Sequence, residues 1–249
     1  MTKRRCRHFD PREAGAAISL RSDRGVVTSG GFVDSWASTV GGVVANGSGT
    51  QRPAFSASSS SFGGFPALTF DGSNDVLDLS TTASSLFQNV GQGIVLSVCQ
   101  DTNSGGGASF HPILLANTPA NLGRVRLDSM ASGTPGYVSR GRRLDSDLQT
   151  PSGIIGSGSG VVVAEGEFQW VSNFHRAANN GVFGTSATFS SGAGNTSNTA
   201  GGVFIGGDTS GNRFPGPIVQ VTAFNTAIDL ALAARVRQAA AYAFNFACS

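Results

Sequence analysis

Apolar residues along this chain recur mostly at every second position, in short runs separated by Gly, Ser, Asn and Asp, which is the pattern of strands and turns. The clearest stretch is Ala67 to Leu79. Leu68 and Phe70 share one face, Asp71-Gly72 readily takes positive φ, and Val76, Leu77 and Leu79 resume an extended apolar run. That spacing predicts a β-hairpin. From Ala16 to Phe55 short extended pieces are expected, with Val26-Val27 and Phe32 to Trp36 among them. Gly93 to Cys99 places Ile94, Leu96 and Val98 on one face and Val95, Ser97 and Cys99 on the other, so a central strand covered on both sides is predicted. Phe70 and Leu96 are assigned to the inward faces.

Further along, His111 to Ala116 and Arg124 to Asp128 read as strands, the second with Val125 and Leu127 inward and Arg124 and Arg126 outward. Val161 to Ala164 and Phe168 to Phe174 predict a hairpin pair. The tract from Gly184 to Gly202 is almost all Gly, Ser, Thr, Ala and Asn, and reads either as a long exposed loop or as weak edge strands. The stretches Gly202 to Asp208 and Phe214 to Phe224 then close the pattern. The period then changes: Ile228, Leu232, Val236, Ala239 and Ala243 form one stripe at helical spacing, predicting a helix over 228–244 with Asn225 or Thr226 as its N-cap.

Composition supports many tight turns. Only 13% of residues are charged, and 35 are Gly, so polarity comes from small neutral side chains. A chain of 249 residues suits one large β-sandwich. The division expected is a basic N-terminal arm, 1–15, and a single domain, 16–249, that includes the helix. Within the arm Lys3, Arg4, Arg5, Arg7 and Arg12 stand against Asp10. Such an arm reads either as a solvated tail or as a dock for an acidic surface. Cys6, Cys99 and Cys248 show no ligand or disulfide spacing, and no run of apolar residues is long enough to cross a membrane as a helix. The basic run after Met1 leads into Phe-Asp-Pro-Arg-Glu rather than an apolar signal core.

Leu-Thr-Phe-Asp-Gly-Ser-Asn-Asp-Val-Leu resembles the Phe-Asp-Gly element of laminin G-like domains in the concanavalin A-like lectin/glucanase superfamily. Trp36, Arg52-Pro53-Ala54-Phe55 and Phe70-Asp71-Gly72 follow in the family's order, and Gly202 to Asp208 with Phe214 to Phe224 resembles its closing strands. The resemblance runs from about Ala16 to Phe246. It implies an all-β antiparallel sandwich of jelly-roll type with one C-terminal α-helix on its outside.

Candidate chemistry is sparse. Glu165 and Glu167 lie two apart, as the acids of the superfamily's glucanases do, but the central Asp and third acid of that pattern are missing, and Gly166 suggests a turn. No catalytic residue and no enzyme activity are expected. Asp71, Ser73, Asn74 and Asp75 gather oxygen atoms that could hold calcium, with Asp71, Asn74 and Asp75 the candidate ligands; the same residues also suit a hydrogen-bonded turn. No other cofactor is expected. His8, His111 and His175 lack a nucleophile partner, and the Gly105–Gly107 and Gly206-Gly207-Asp208 runs lack the context of a phosphate loop. Trp36 and Trp170 read as core residues that could otherwise stack on sugars.

The function expected from these features is a non-enzymatic structural protein of a bacteriophage virion, made in the host cytoplasm: a capsid decoration, fibre or tail-associated protein. Lys3, Arg4, Arg5 and Arg7 would dock it in a multimeric assembly with capsid or tail subunits. The alternative is a carbohydrate-binding or adhesion module that recognises a host surface glycan. A glycan hydrolase stands third, and membrane or nucleic-acid partners are not expected.

Overall fold

The computed structural model describes residues 15–102, 110–117, 123–130, 136–156, 160–197, 201–208 and 210–226. The predicted arm and C-terminal helix therefore lie outside the described residues, apart from Gly15 at the arm's end.

Eighteen strands follow one another among the described residues, the first half being β1 (Ile18–Arg21), β2 (Val26–Ser29), β3 (Phe32–Ala37), β4 (Val44–Asn46), β5 (Ala54–Ser56), β6 (Ala67–Asp71), β7 (Leu77–Thr82), β8 (Gln92–Cys99) and β9 (Phe110–Asn117). The second half holds β10 (Gly123–Met130), β11 (Gly136–Gly141), β12 (Thr150–Pro151), β13 (Ile155–Gly156), β14 (Val162–Gln169), β15 (Phe174–Asn179), β16 (Val182–Phe183), β17 (Gly202–Ile205) and β18 (Pro215–Phe224). A single turn of helix, α1 (Ala83–Phe87), is capped by the Thr82 hydroxyl, which accepts the Ser85 N–H.

The strand pairings are all antiparallel and build an all-β sandwich. One layer runs β2-β3-β4-β7-β17-β9-β10-β11. The other runs β18-β8-β14-β15-β16. The long β18 pairs on its far edge with β6 from Pro215 to Ile218 and with β1 from Gln220 to Ala223. β5 bonds to both β6 and β3, so the ladder passes from one layer to the other along that edge. Between the layers lies the main core, where Trp36, Leu79, Ile205 and Leu127 meet Leu68, Phe70, Val95 and Phe168.

Several expectations are corrected. Ala67 to Leu79 is not a hairpin, because β6 pairs with β5 and β18 whereas β7 pairs with β4 and β17. Asp71-Gly72 turns the chain from one layer to the other, and period-2 alternation is the same for an arch as for a hairpin. Phe70 is in the core as expected, packed edge-on against Phe214 with ring centroids 6.5 Å apart. A Cβ on Gly206, at φ 78°, would fall 2.1 Å from the Phe70 ring, so glycine there is what lets the closing strands seat against it.

β8 is central, as predicted, but Leu96 faces outward. It joins Ile94, Val98, Val163, Val219 and Phe224 in a second buried cluster on the outer side of that layer, together with Phe62 and Ala67. A strand apolar on both faces carries no sign of which face meets the other sheet. The hairpin at 161–174 is longer than predicted: β14 runs unbroken from Val162 to Gln169 and the chain reverses at Trp170–Asn173, with Asn173 at φ 58°. Gly166 is therefore mid-strand rather than in a turn, leaving room for the Phe168 ring, 3.1 Å from where its Cβ would stand. The Gly/Ser tract is neither fully exposed nor a regular strand pair over its described part. Phe189 stacks on Trp170, and the Thr196 hydroxyl donates to the Phe87 carbonyl.

Candidate functional site

One row of outward side chains crosses the first layer. In register, Asn46 lies beside Asp78, Asp78 beside Phe204, Phe204 beside Leu115, Leu115 beside Arg126, and Arg126 beside Arg140. Their sequence neighbours Ala45, Leu77, Ile205, Leu114 and Leu127 are core residues, so the pleat turns the row away from the core.

At the Asn46 end of this row is a cavity of about 310 Å³, lined by Asn46, Ser48, Gln51, Val76, Asp78, Phe204, Asp208 and Arg213. Its volume is at the lower end of the range for small-molecule sites. The Phe204 ring lies back over Gly202, where a Cβ would fall 2.6 Å from it. This leaves Phe204 half-buried with a rigid seat.

The walls are fixed by hydrogen bonds. Arg52 clamps the 46–51 loop: its Nε donates to the Gly49 carbonyl at 3.0 Å and its Nη1 meets Asp34 Oδ1 at 2.5 Å. The Gly47 N–H donates to the Asp34 carbonyl, and the Val76 N–H to the Gln51 carbonyl. On the opposite wall Asp208 Oδ1 accepts the N–H groups of Ser210 and Asn212, and its Oδ2 accepts the Asn212 side-chain amide at 2.7 Å. Arg213 Nη1 donates to the Asp208 and Asn212 carbonyls.

Behind the wall the charges form a buried chain. Arg126 Nη1 is 3.6 Å from Asp208 Oδ2, while its Nη2 is 2.9 Å from Asp128 Oδ1. Asp128 Oδ2 meets Arg140 Nε at 2.8 Å, and the Arg140 guanidinium lies 3.9 Å from the centre of the Phe110 ring. Arg124 and Arg126 do point outward, as predicted, yet both are buried. Arg124 donates to the Arg143 carbonyl and pairs with Asp145. Burial pushes its pKa down to about 10.

Asp78 contrasts with Asp208. It is exposed at the cavity, and among the described residues no cation pairs with it; partial desolvation raises its pKa. Nearby Asp75 is buried. Desolvation lifts its pKa to about 6, helped by the Asp71 carboxylate and opposed by the Asp71 N–H and by Arg213.

The structure brings Asp71, Asn74 and Asp75 together on one turn. Asp71 Oδ1 accepts the N–H groups of Ser73, Asn74 and Asp75, and Asp75 Oδ2 accepts the Asp71 N–H at 2.8 Å. These bonds occupy Asp71 Oδ1 and Asp75 Oδ2 as a hydrogen-bonded turn requires, and among the described residues no three His, Cys, Asp or Glu side chains are arranged to hold a metal ion. Lys3, Arg4, Arg5, Arg7, His8, Cys6 and Cys248 lie outside the described residues. Glu165 and Glu167 share one face, but on the other layer, where both are buried. Glu167 is held by Arg176 at 2.6 Å and Gln169 at 3.0 Å. Trp36 and Trp170 are core residues, their indole N–H groups donating to the Arg21 and Arg142 carbonyls. His175 is sandwiched in the core, with Nδ1 2.9 Å from Ser139 Oγ. Cys99 is a buried thiol whose pKa burial pushes up to about 12.

Asn46, Gln51, Asp78, Phe204 and Arg213 were not singled out by sequence. Asp78 and Phe204 had a signal, each being the outward residue of a strand with apolar neighbours on both sides.

No protein-family model and no curated protein matches the chain. Solved structures do. Domain 4 of the extracellular arabinanase AbnA from Geobacillus stearothermophilus, in complex with arabinotriose, is 14% identical, and the match covers 90% of this chain and 99% of that one at a TM-score of 0.56. The ligand-binding domain of botulinum neurotoxin serotype D, in complex with N-acetylneuraminic acid, is 9% identical over 90% of this chain and 51% of that one, at 0.59. A Trypanosoma rangeli sialidase is 12% identical over 92% of this chain, at 0.58. This chain spans about a third of the sialidase chains it matches, 32% in one and 33% in another. At such identities the likeness is one of fold: a β-sandwich shared with sugar-binding domains and with parts of glycan-processing proteins.

Proposed function

We propose that the protein is a glycan-binding module and that its ligand sits in the cavity beside Asp78 and Phe204. The observation that carries this reading is the convergence there of an aromatic ring, two side-chain amides, two carboxylates and a guanidinium, from adjacent strands and the turns beside them. That is a set of groups able to take both the hydroxyls and the C–H face of a sugar. Structural neighbours with bound arabinotriose or N-acetylneuraminic acid support it at the level of fold.

A binding rather than a cleaving role is supported by the placement of Glu165 and Glu167, buried on the other layer with Glu167 committed to Arg176 and Gln169. Nothing in the fold or among the neighbours bears on the virion, capsid and assembly expectations, so glycan binding takes their place as the leading reading. The test is a glycan array followed by calorimetry on the hits. Binding should fall at least tenfold in Phe204→Ala and in Asn46→Ala with the far-UV spectrum unchanged. A glycan bound equally well by both variants would place the site elsewhere.

A further inference from the structure

Resting on the glycan-binding reading, we infer that this cavity selects neutral sugars and rejects acidic ones, and that Asp78 is the residue that makes the choice. Three charged groups line the cavity: Asp78, Asp208 and Arg213. Asp208 is already satisfied by two backbone N–H groups, the Asn212 amide and, at 3.6 Å, Arg126. Arg213 is turned toward the same aspartate, its Nη1 donating to two main-chain carbonyls and lying 3.9 Å from Asp208 Oδ1. The positive charge at the wall is therefore largely spent on Asp208.

Asp78 stands in the cavity with no cation beside it among the described residues. A second carboxylate, the buried Asp75, also draws on the charge of Arg213. A sugar carboxylate or sulfate entering here meets an uncompensated negative charge at contact distance, well inside the screening length of the solvent. Neutral hydroxyls meet the opposite situation. Two neighbouring O–H groups can each donate to one oxygen of Asp78 in charge-assisted bonds, which are short and strong. Asn46 and Gln51 offer amides that both donate and accept, and the half-buried Phe204 ring offers an apolar seat for the C–H face of the same ring.

The experiment is calorimetry on the full chain with neutral pentose and hexose oligosaccharides, with N-acetylneuraminic acid and with a hexuronic acid, repeated for Asp78→Asn and Asp78→Glu. Asp78 is exposed, so neither substitution disturbs the core. The expected result is binding of a neutral oligosaccharide, weakened at least tenfold in Asp78→Asn and less in Asp78→Glu, with no measurable binding of the acids to the unaltered protein. Preference for an acidic sugar, or neutral binding indifferent to Asp78→Asn but lost in Phe204→Ala, would overturn the inference while leaving the glycan-binding reading intact. Binding of no sugar, or binding indifferent to Phe204→Ala, Asn46→Ala and Asp78→Asn alike, would overturn both.

Discussion

Asp78 and Phe204 lie side by side across β7 and β17, both turned away from the core, while their neighbours Leu77 and Ile205 pair inward in the next register position. A carboxylate beside an aromatic ring on two hydrogen-bonded strands is fixed by the sheet rather than by a loop. Little conformational freedom is then left to lose when a ligand binds.

The seat of that ring makes Gly202 a sensitive position. Gly202→Ala places a methyl group 2.6 Å from the Phe204 ring and must displace it. Gly202 lies near the start of β17, so the fold should persist. The expected outcome is a folded protein, by near-UV and far-UV circular dichroism, whose glycan affinity falls about as far as in Phe204→Ala.

Stability should depend on the contact between Phe70 and Gly206. Phe70→Ala should cost about 3–5 kcal/mol in denaturant unfolding, from lost burial and the cavity left behind. Gly206→Ala should be comparably damaging, because its Cβ would overlap the Phe70 ring at 2.1 Å and its φ of 78° disfavours any side chain. Loss of less than about 1 kcal/mol in both would show that the arch and the closing strands are not packed as described.

Asp75 should make the protein less stable as pH rises. Its folded pKa of about 6 lies above its ordinary value of 3.8, so the folded state holds the proton more tightly. The stabilisation is complete below about pH 3.8 and is lost as pH rises through 6. Asp75→Asn, whose Oδ1 can still accept the Asp71 N–H, should gain about 1–2 kcal/mol at pH 7.5, allowing for solvent screening, and nothing at pH 3.5. Equal gains at both pH values would mean that titration of this carboxyl is not the cause.

His175 acts with the opposite sign. Burial lowers its pKa to about 4 from 6.5, so the folded state disfavours the proton. The contribution is present in full above pH 6.5 and is lost as pH falls through 4, by roughly 3 kcal/mol. Nuclear magnetic resonance titration should find the ring neutral at pH 5. A midpoint near 6.5 in the native protein would contradict its burial between Phe168 and Phe189.

Much of the strand content could be read along the chain, because a pleated strand with one face in the core must alternate: Phe70, Val125, Leu127 and Trp36 are all where alternation puts them. Alternation specifies a side and says nothing about a partner. Ala67 to Leu79 therefore read as a hairpin although its two strands lie in different layers, and Leu96 read as inward although the inward face of β8 carries Val95 and Cys99. The arginines of β10 were correctly turned outward, but the burial of Arg126 depends on Asp128, Arg140 and Asp208, which lie on the same strand, the next strand and a turn some 80 residues away in sequence. The candidate site lies beyond local pattern for the same reason. Asn46, Asp78 and Phe204 become neighbours only through the β4-β7 and β7-β17 pairings, and Arg213 joins them through the turn it makes with Asp208. Local spacing determines which residues leave the core, whereas long-range strand pairing decides which of them meet.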